Sequence, residues 1–331
     1  MIDNGALFKQ LRRDRHLTLT DIASAQVSIA AISKFERGLT DMTFQRFEYL
    51  LGRINVSLEE FLFLRAWRSG EIDPHLSSTY RFNSQIDHAF IQRLGELAGM
   101  TKTIQSQAVI DQLQVEINRY LEPPVTRRAR FMAAGIQFYQ SILQSNRESQ
   151  GKGKTAAHLA TEMDQLRGVV RPFISYVYSI ENWGYFELLF FQLLHTAIPN
   201  ETAHQLLPIA MKRTAQYQSF TPVQGMRYNL LFGIFSDFIN ARQMGWAKEA
   251  LDLVENILQT EHDLNHANRL LFCRGWYALV AGDETGGIKT CEQAISIETI
   301  LGQTNMARQY TFILTNIQYN KQNPGDSAYF M

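Results

Sequence analysis

The sequence predicts an all-α protein: a small N-terminal helical bundle followed by a longer array of helix pairs. Three observations predict it. Apolar residues recur at three- and four-residue spacing along most of the chain, Gly and Pro clusters interrupt that pattern at intervals, and no alternating apolar–polar run reads as a strand. At 331 residues the chain exceeds one ordinary domain and points to two units. The division falls into residues 1–64, a connector at 65–85 carrying Gly70, Pro74 and Ser77-Ser78-Thr79, and residues 86–331.

The elements of the first unit follow in order. Leu7, Phe8 and Leu11 give one face of a first helix whose other face carries Lys9, Arg12, Arg13 and Arg15. Thr18 with Asp21 three residues on is a start signal for a second helix that buries Leu19, Ile22 and Ala23. After a short turn at Gln26-Val27, Ser28 caps a third helix from Ile29 to Arg37, with Ile32 and Phe35 inward and Gly38 as its stop. Thr43 opens a fourth helix with Phe44, Phe47, Leu50 and Leu51 inside. Ser57 to Glu60 opens a fifth, burying Leu58 and Phe61.

Two helices joined by a tight turn, the second exposing small polar and basic residues, fit the major groove of B-DNA. Here the exposed set is Ser28, Ile29, Ala30, Ser33, Lys34 and Arg37. The run Ser33-Lys34-Phe35-Glu36-Arg37-Gly38, preceded by Leu17 to Ala23, resembles the lambda-repressor-like (XRE) helix-turn-helix family. The resemblance implies that Ile29, Ala30 and Ser33 face base edges, while Arg12, Arg15, Lys34 and Arg37 neutralise phosphates. The first 64 residues hold eight basic and eight acidic residues, so any positive surface must come from one-sided placement.

In the second unit, Gly275, Gly282, Gly287 and Ala294 set small residues at spacings of seven, five and seven. These are the spacings of the tetratricopeptide (TPR) motif, in which two antiparallel helices cross closely where side chains are small. Gly245 to Leu251 resembles the second helix of another such unit. First helices start near Asn182, Gln224, Asn265 and Gln303, a loose period of about 40 residues, which predicts a degenerate TPR-like solenoid.

Several suggestive patterns reduce to structure. Gly151-Lys152-Gly153-Lys154-Thr155 ends like a phosphate-binding loop, but Glu148 occupies the place of its first glycine and the preceding stretch reads as helix. His262 and His266 lack a third ligand and read as solvated loop histidines, so no metal is expected. Cys273 and Cys291 read as buried, reduced thiols. The apolar run Tyr185 to Leu194 is too short to span a bilayer and the opening residues lack the order of a signal peptide, which places the chain in the cytoplasm without membrane partners. No motif of hydrolytic or redox catalysis occurs, so neither enzymatic activity nor a cofactor is expected.

A helix-turn-helix followed by a degenerate TPR array resembles the Rgg/GadR/MutR family of peptide-responsive regulators. The resemblance is carried by Leu7 to Phe61, Trp183 to Leu188, and the Gly275 repeat with its flanks. It implies a homodimer that binds a double-stranded DNA operator under control of a short hydrophobic quorum-sensing peptide held in the solenoid groove. Some members link the dimer through a cysteine in the fourth helix. Thr43 to Leu51 contains none, so a dimer without a disulfide is implied. The groove-facing residues are expected to be Trp183 and Glu187; Asn229, Phe232 and Ser236, with Arg227 and Tyr228 at the margin; and Arg269, Phe272 and Trp276. Among them an arginine would take a carboxylate, an amide such as Asn229 would take peptide backbone, and rings would wall the apolar side chains. A regulator sensing a different ligand, or a TPR-type adaptor, would share this signature.

Overall fold

The computed structural model describes residues 4–69, 90, 93–94, 96–97, 107–148, 156–217 and 221–322. The chain divides into two compact units, Met1–Glu96 and Leu97–Met331. The described residues are helical, with no strand among them. The Gly151 to Thr155 run and most of the connector at 65–85 lie outside the described residues.

The first unit contains α1 (Asn4–Asp14), α2 (Leu19–Ile22), α3 (Ile29–Glu36), α4 (Phe44–Arg53) and α5 (Leu58–Arg68). The expected start signals are present as hydrogen bonds. Thr18 and Asp21 form a reciprocal capping box, Ser28 Oγ accepts from the Ala31 amide, and Ser57 Oγ accepts from the Glu60 amide. Gly38, with φ 68°, follows α3 in the left-handed conformation that lets the chain turn away. The core joins all five helices through Leu7, Phe8, Leu11, Ile22, Ile32, Phe35, Leu50, Leu51 and Phe61. At its centre four rings meet edge to face or tilted, Phe8–Phe35 at 6.0 Å, Phe35–Phe47 at 5.7 Å and Phe47–Phe61 at 4.9 Å between centroids. Burying a ring such as Phe8 contributes roughly 1.5–3 kcal/mol. Phe44 departs from expectation, being exposed rather than inside. It is the first residue of α4, where helical spacing no longer decides which way a side chain is covered. α5 also runs four residues past the expected boundary at 64, to Arg68.

The second unit contains α6 (Gln107–Tyr120), α7 (Arg127–Glu148), α8 (Ala156–Ser179), α9 (Tyr185–Leu194), α10 (Asn200–Arg213), α11 (Thr221–Asn240), α12 (Met244–Leu258), α13 (Leu264–Ala281), α14 (Glu284–Ile300) and α15 (Thr304–Gln322). The starts of α9, α11, α13 and α15 reproduce the expected forty-residue period. Each packs on the next, α9 on α11, α11 on α13 and α13 on α15, so the first helices form a row, and α12 and α14 pair with α11 and α13. The α13–α14 crossing shows why the small residues recur. A Cβ on Gly275 would lie 2.6 Å from Cys291 Sγ and 2.9 Å from the Gly287 carbonyl, and one on Gly287 would lie 2.8 Å from the Gly275 carbonyl. The two backbones touch there, and no side chain fits between them.

Both cysteines are buried at this crossing as thiols rather than as a disulfide, and burial raises both to about 12. The run Tyr185 to Leu194 is α9, a core helix with seven buried residues. Among the described residues no helix is long and apolar enough to cross a membrane.

Candidate functional site

On the first unit, the surface of α3 is set by its buried stripe. Ile32 and Phe35 point into the core, which leaves Ser28, Ile29, Ala30, Lys34 and Arg37 exposed and Ser33 half-buried. Arg37 Nε is held by the Ser33 carbonyl at 3.2 Å, along the helix. Arg12 requires a correction. It is 6% exposed, and its guanidinium makes a two-pronged pair with the equally buried Glu36, Nε–Oε1 at 2.6 Å and the second nitrogen to Oε2 at 2.8 Å. The hydrogen bond to Glu36 raises its pKa. A buried guanidinium already satisfied by a carboxylate cannot serve a phosphate; it pins α1 to α3. Arg15 is half-buried, donating to the Leu11 carbonyl at 3.1 Å and reaching Glu60 at 3.4 Å. The basic residues left open on this face are Lys34 and Arg37.

On the second unit, the expected residues separate into three groups. Asn229 and Arg269, forty positions apart on α11 and α13, are joined by a hydrogen bond of 3.3 Å, and the Arg269 guanidinium lies over the Phe232 ring at 4.5 Å from its centroid. Arg269 is half-buried with its Nε shielded and without a hydrogen-bond partner, and among the described residues no carboxylate pairs with it. Burial lowers its pKa from the ordinary arginine value, although arginine stays charged at physiological pH. A shielded charged donor without an acceptor costs about 1–3 kcal/mol or more.

The second group supports that centre. Tyr228 is buried, its ring stacked on His266 at 4.0 Å and its hydroxyl donating to Glu261 at 2.9 Å. Phe272 stacks on Tyr310 of α15 at 4.3 Å, and Trp276 meets Phe235 edge to face at 5.5 Å. Arg227 is 8% exposed with its Nε unpartnered; burial lowers its pKa while Glu261 opposes that shift. No described contact joins Arg227 to Arg269.

The third group belongs to the core. Trp183 is fully buried, donating from Nε1 to the Val177 carbonyl at 3.1 Å. Glu187 caps α9 by accepting from the Gly184 amide at 2.8 Å and also accepts from the Tyr176 hydroxyl at 2.7 Å. Ser236 is fully buried and bonds the Phe232 carbonyl one turn back. None of the three faces a ligand: each has its polar atoms committed to holding the helices themselves.

Two residues of the site go beyond the sequence expectation. His266 is not a solvated loop residue but sits in the first turn of α13, stacked on Tyr228 and paired with Asp263 at 2.8 Å; burial lowers its pKa, with Asp263 opposing. Tyr310, itself buried, continues the row of packed rings onto α15, and Arg269 lies within electrostatic reach of its hydroxyl. The sequence signal for Tyr310 is its place on the fourth first helix of the period. His262 lies exposed in the loop, and the described residues hold no cluster of three or more metal-ligating side chains.

With this geometry in place, comparison with known proteins adds a likeness in sequence and a likeness in fold. Residues 170–311, from α8 into α15, match the C-terminal domain of the HTH-type transcriptional regulator Rgg. This stretch of the chain is similar to that Rgg domain. Solved structures share the fold over nearly the whole chain. A protein from Listeria monocytogenes EGD-e aligns with TM-score 0.75 and 17% identity over 97% of this chain and 98% of its own. The Streptococcus dysgalactiae SHP pheromone receptor Rgg2 aligns with TM-score 0.65 and 17% identity, covering 95% of this chain and 99% of its own. PrgX in complex with cCF10 aligns with TM-score 0.63 and 14% identity over 96% and 93%. The matched residues contain α9–α14 and both Asn229 and Arg269.

Proposed function

We propose that this chain is a cytoplasmic transcription regulator of the Rgg kind, controlled by a short, mainly apolar peptide. Residues 1–64 hold a double-stranded operator through α3, with Ile29, Ala30 and Ser33 toward base edges and Lys34 and Arg37 toward phosphates; Ser28 and Arg15 flank them. Residues 65–85 connect this unit to residues 86–331, which bind the peptide along the row of first helices. Two copies act together, because one small domain grips a half-site weakly and doubling the contacts raises affinity and fixes half-site spacing.

The observation that carries the peptide reading is Arg269: half-buried, bonded to Asn229, over the Phe232 ring and without a carboxylate among the described residues, on the row of first helices whose rings Phe232, Phe272 and Tyr310 are themselves buried. A half-buried charge with an open donor beside apolar side chains suits an amphiphilic ligand. The structural relatives described as a pheromone receptor and as a complex with cCF10 are consistent with it.

The test is a binding assay on the intact chain with duplexes from its own promoter region, with and without a peptide fraction from spent medium of its native host. Sequence-preferring binding whose affinity changes with that fraction is the expected result. Equal binding to all duplexes, or affinity indifferent to the fraction, would overturn the reading.

A further inference from the structure

We infer that His266 is an acid-operated clasp on the seam between α11 and α13, and that a proton on its imidazole opens that seam beside Asn229 and Arg269. What this does to a ligand rests on the reading above, that the row of first helices receives a peptide; the clasp itself needs no ligand.

Among the described residues three histidines lie on seams between neighbouring repeats. Two of them have a carboxylate of the next repeat as partner, His195 with Asp237 of α11 and His204 of α10 with Glu249 of α12 at 2.7 Å. His266 meets rings across its seam instead. Its imidazole lies parallel to Tyr228 of α11 at 4.0 Å and to Phe232, one turn further, at 6.4 Å. Tyr228 presents only its ring face, its hydroxyl being given to Glu261 at 2.9 Å. The carboxylate beside His266 comes from its own helix start, where Asp263 caps α13 by accepting from the His266 amide at 3.0 Å. Nδ1 of the imidazole lies 2.8 Å from Asp263 Oδ2, off the line of a hydrogen bond and shielded from water. Arg269, three residues along α13, lies over the same Phe232 ring.

A flat neutral ring suits this packing; a charged one is held there at the expense of its hydration. Burial lowers the folded-state pKa of His266 below 6.5 and outweighs the pull of Asp263, with Arg269 adding to the lowering and Glu261, itself within reach of Arg227 of α11, opposing it. An open seam returns the ring to water and to its ordinary proton affinity, so the closed seam favours the neutral ring and the open seam the imidazolium. The ratio of open to closed therefore rises as the pH falls below 6.5, by at most about tenfold per pH unit. Asp263 does not titrate in this range: burial raises its pKa, but hydrogen bonds from the His266 amide and side chain outweigh that and hold it below 3.8. Opening lifts α13 from Tyr228 and Phe232 and takes Arg269 away from Asn229, to which it bonds at 3.3 Å. Mild acid thus loosens the residues on which the peptide reading rests.

Hydrogen exchange of the intact, ligand-free chain tests this, read by mass spectrometry between about pH 7.5 and 5.5 and corrected for the intrinsic pH dependence of exchange. The reporter is the α13 stretch Ala267 to Phe272, and the α13–α14 crossing around Gly287 is the internal control. The open fraction of the reporter should rise several-fold, at most about tenfold, from about pH 6.5 to 5.5 while the control stays level. His266→Phe keeps a ring on Tyr228 and should abolish the rise. Asp263→Asn keeps the cap but removes the attraction for the proton, so the closed seam disfavours the charged ring further and the rise should be larger. A reporter indifferent to pH, a rise shared by the control, a rise undiminished in His266→Phe or one reduced in Asp263→Asn would each overturn the clasp. Because no ligand is present, such a failure leaves the peptide reading untouched. A protein that carries no peptide would conversely reject that reading and leave the clasp standing.

Discussion

The two units differ in where they keep polar residues. In the first unit, five of the eight residues expected to meet DNA are exposed, and Arg12 alone is withdrawn into a buried pair. In the repeat unit, seven of the ten residues expected to meet a ligand are buried, namely Trp183, Arg227, Tyr228, Phe232, Ser236, Phe272 and Trp276. The difference is geometric. A helix of a small bundle has one neighbour-covered face and one free face, so helical period alone separates inside from outside. A first helix of a solenoid is covered by its own partner and by the first helices on either side, so a ring at one-turn spacing can as easily close a seam as line a groove.

This comparison can be broken most sharply at Arg12. Removing one member of a buried ion pair leaves Glu36 charged and alone, so Arg12→Ala should cost about 3–5 kcal/mol in urea unfolding of the first unit. The double substitution Arg12→Met with Glu36→Leu, which removes both charges and keeps the volume, should recover most of that loss. An Arg12→Ala protein of unchanged stability but weakened DNA binding would return Arg12 to the phosphate surface.

The next largest effect is expected in the repeat unit. Gly275→Val puts carbon against Cys291 and the Gly287 carbonyl, and should lower stability by about 3 kcal/mol or more in denaturant titration. A change below half that figure would mean that α13 and α14 separate easily, contrary to a close crossing.

On the face of α3 proposed to meet DNA, Lys34→Ala and Arg37→Ala should weaken specific and nonspecific duplexes alike and reduce the salt slope by about one each. Ser33→Ala should instead flatten the preference between duplexes, read by competition. Uniform weakening by Ser33→Ala would move that residue off the base edges.

The smallest effect is a pH dependence. Burial holds the folded-state pKa of His266 below its ordinary value of 6.5, so the unfolded chain takes the proton more readily. Its contribution to stability is therefore undiminished above pH 6.5 and declines as the pH falls below that value. His266→Phe, which keeps a ring against Tyr228, should flatten thermal stability between about pH 7 and 5 relative to the parent chain. A steeper decline in the variant would contradict the assignment.

How much was legible follows from the same contrast. The caps at Thr18, Ser28 and Ser57, the stop at Gly38 and the small-residue spacing at Gly275 and Gly287 are local rules, and each reads directly from neighbouring residues. Phe44 misled because it stands at a helix start. Trp183, Glu187 and Ser236 misled because their polar partners, Val177, Gly184 with Tyr176, and Phe232, are fixed by packing that periodicity does not encode. The forty-residue period did bring Asn229 and Arg269 together. It also aligns Phe232, Phe272 and Phe312, of which the first two are buried and the third exposed, since α15 ends the described row. The Arg12–Glu36 pair escaped notice because a basic residue at the margin of an amphipathic helix is usually solvated, and its acidic partner lies 24 residues away.

The proposed seat of the peptide is the row of first helices around Arg269. Native mass spectrometry of the full chain, purified from its own host at the cell density where its target genes respond, tests that placement directly. The protein should carry a mass increment that fragments as a single short apolar peptide with a free carboxylate, and Arg269→Gln purified in parallel should carry little or none. Bare protein in both preparations, or the same increment on parent and variant alike, would contradict it.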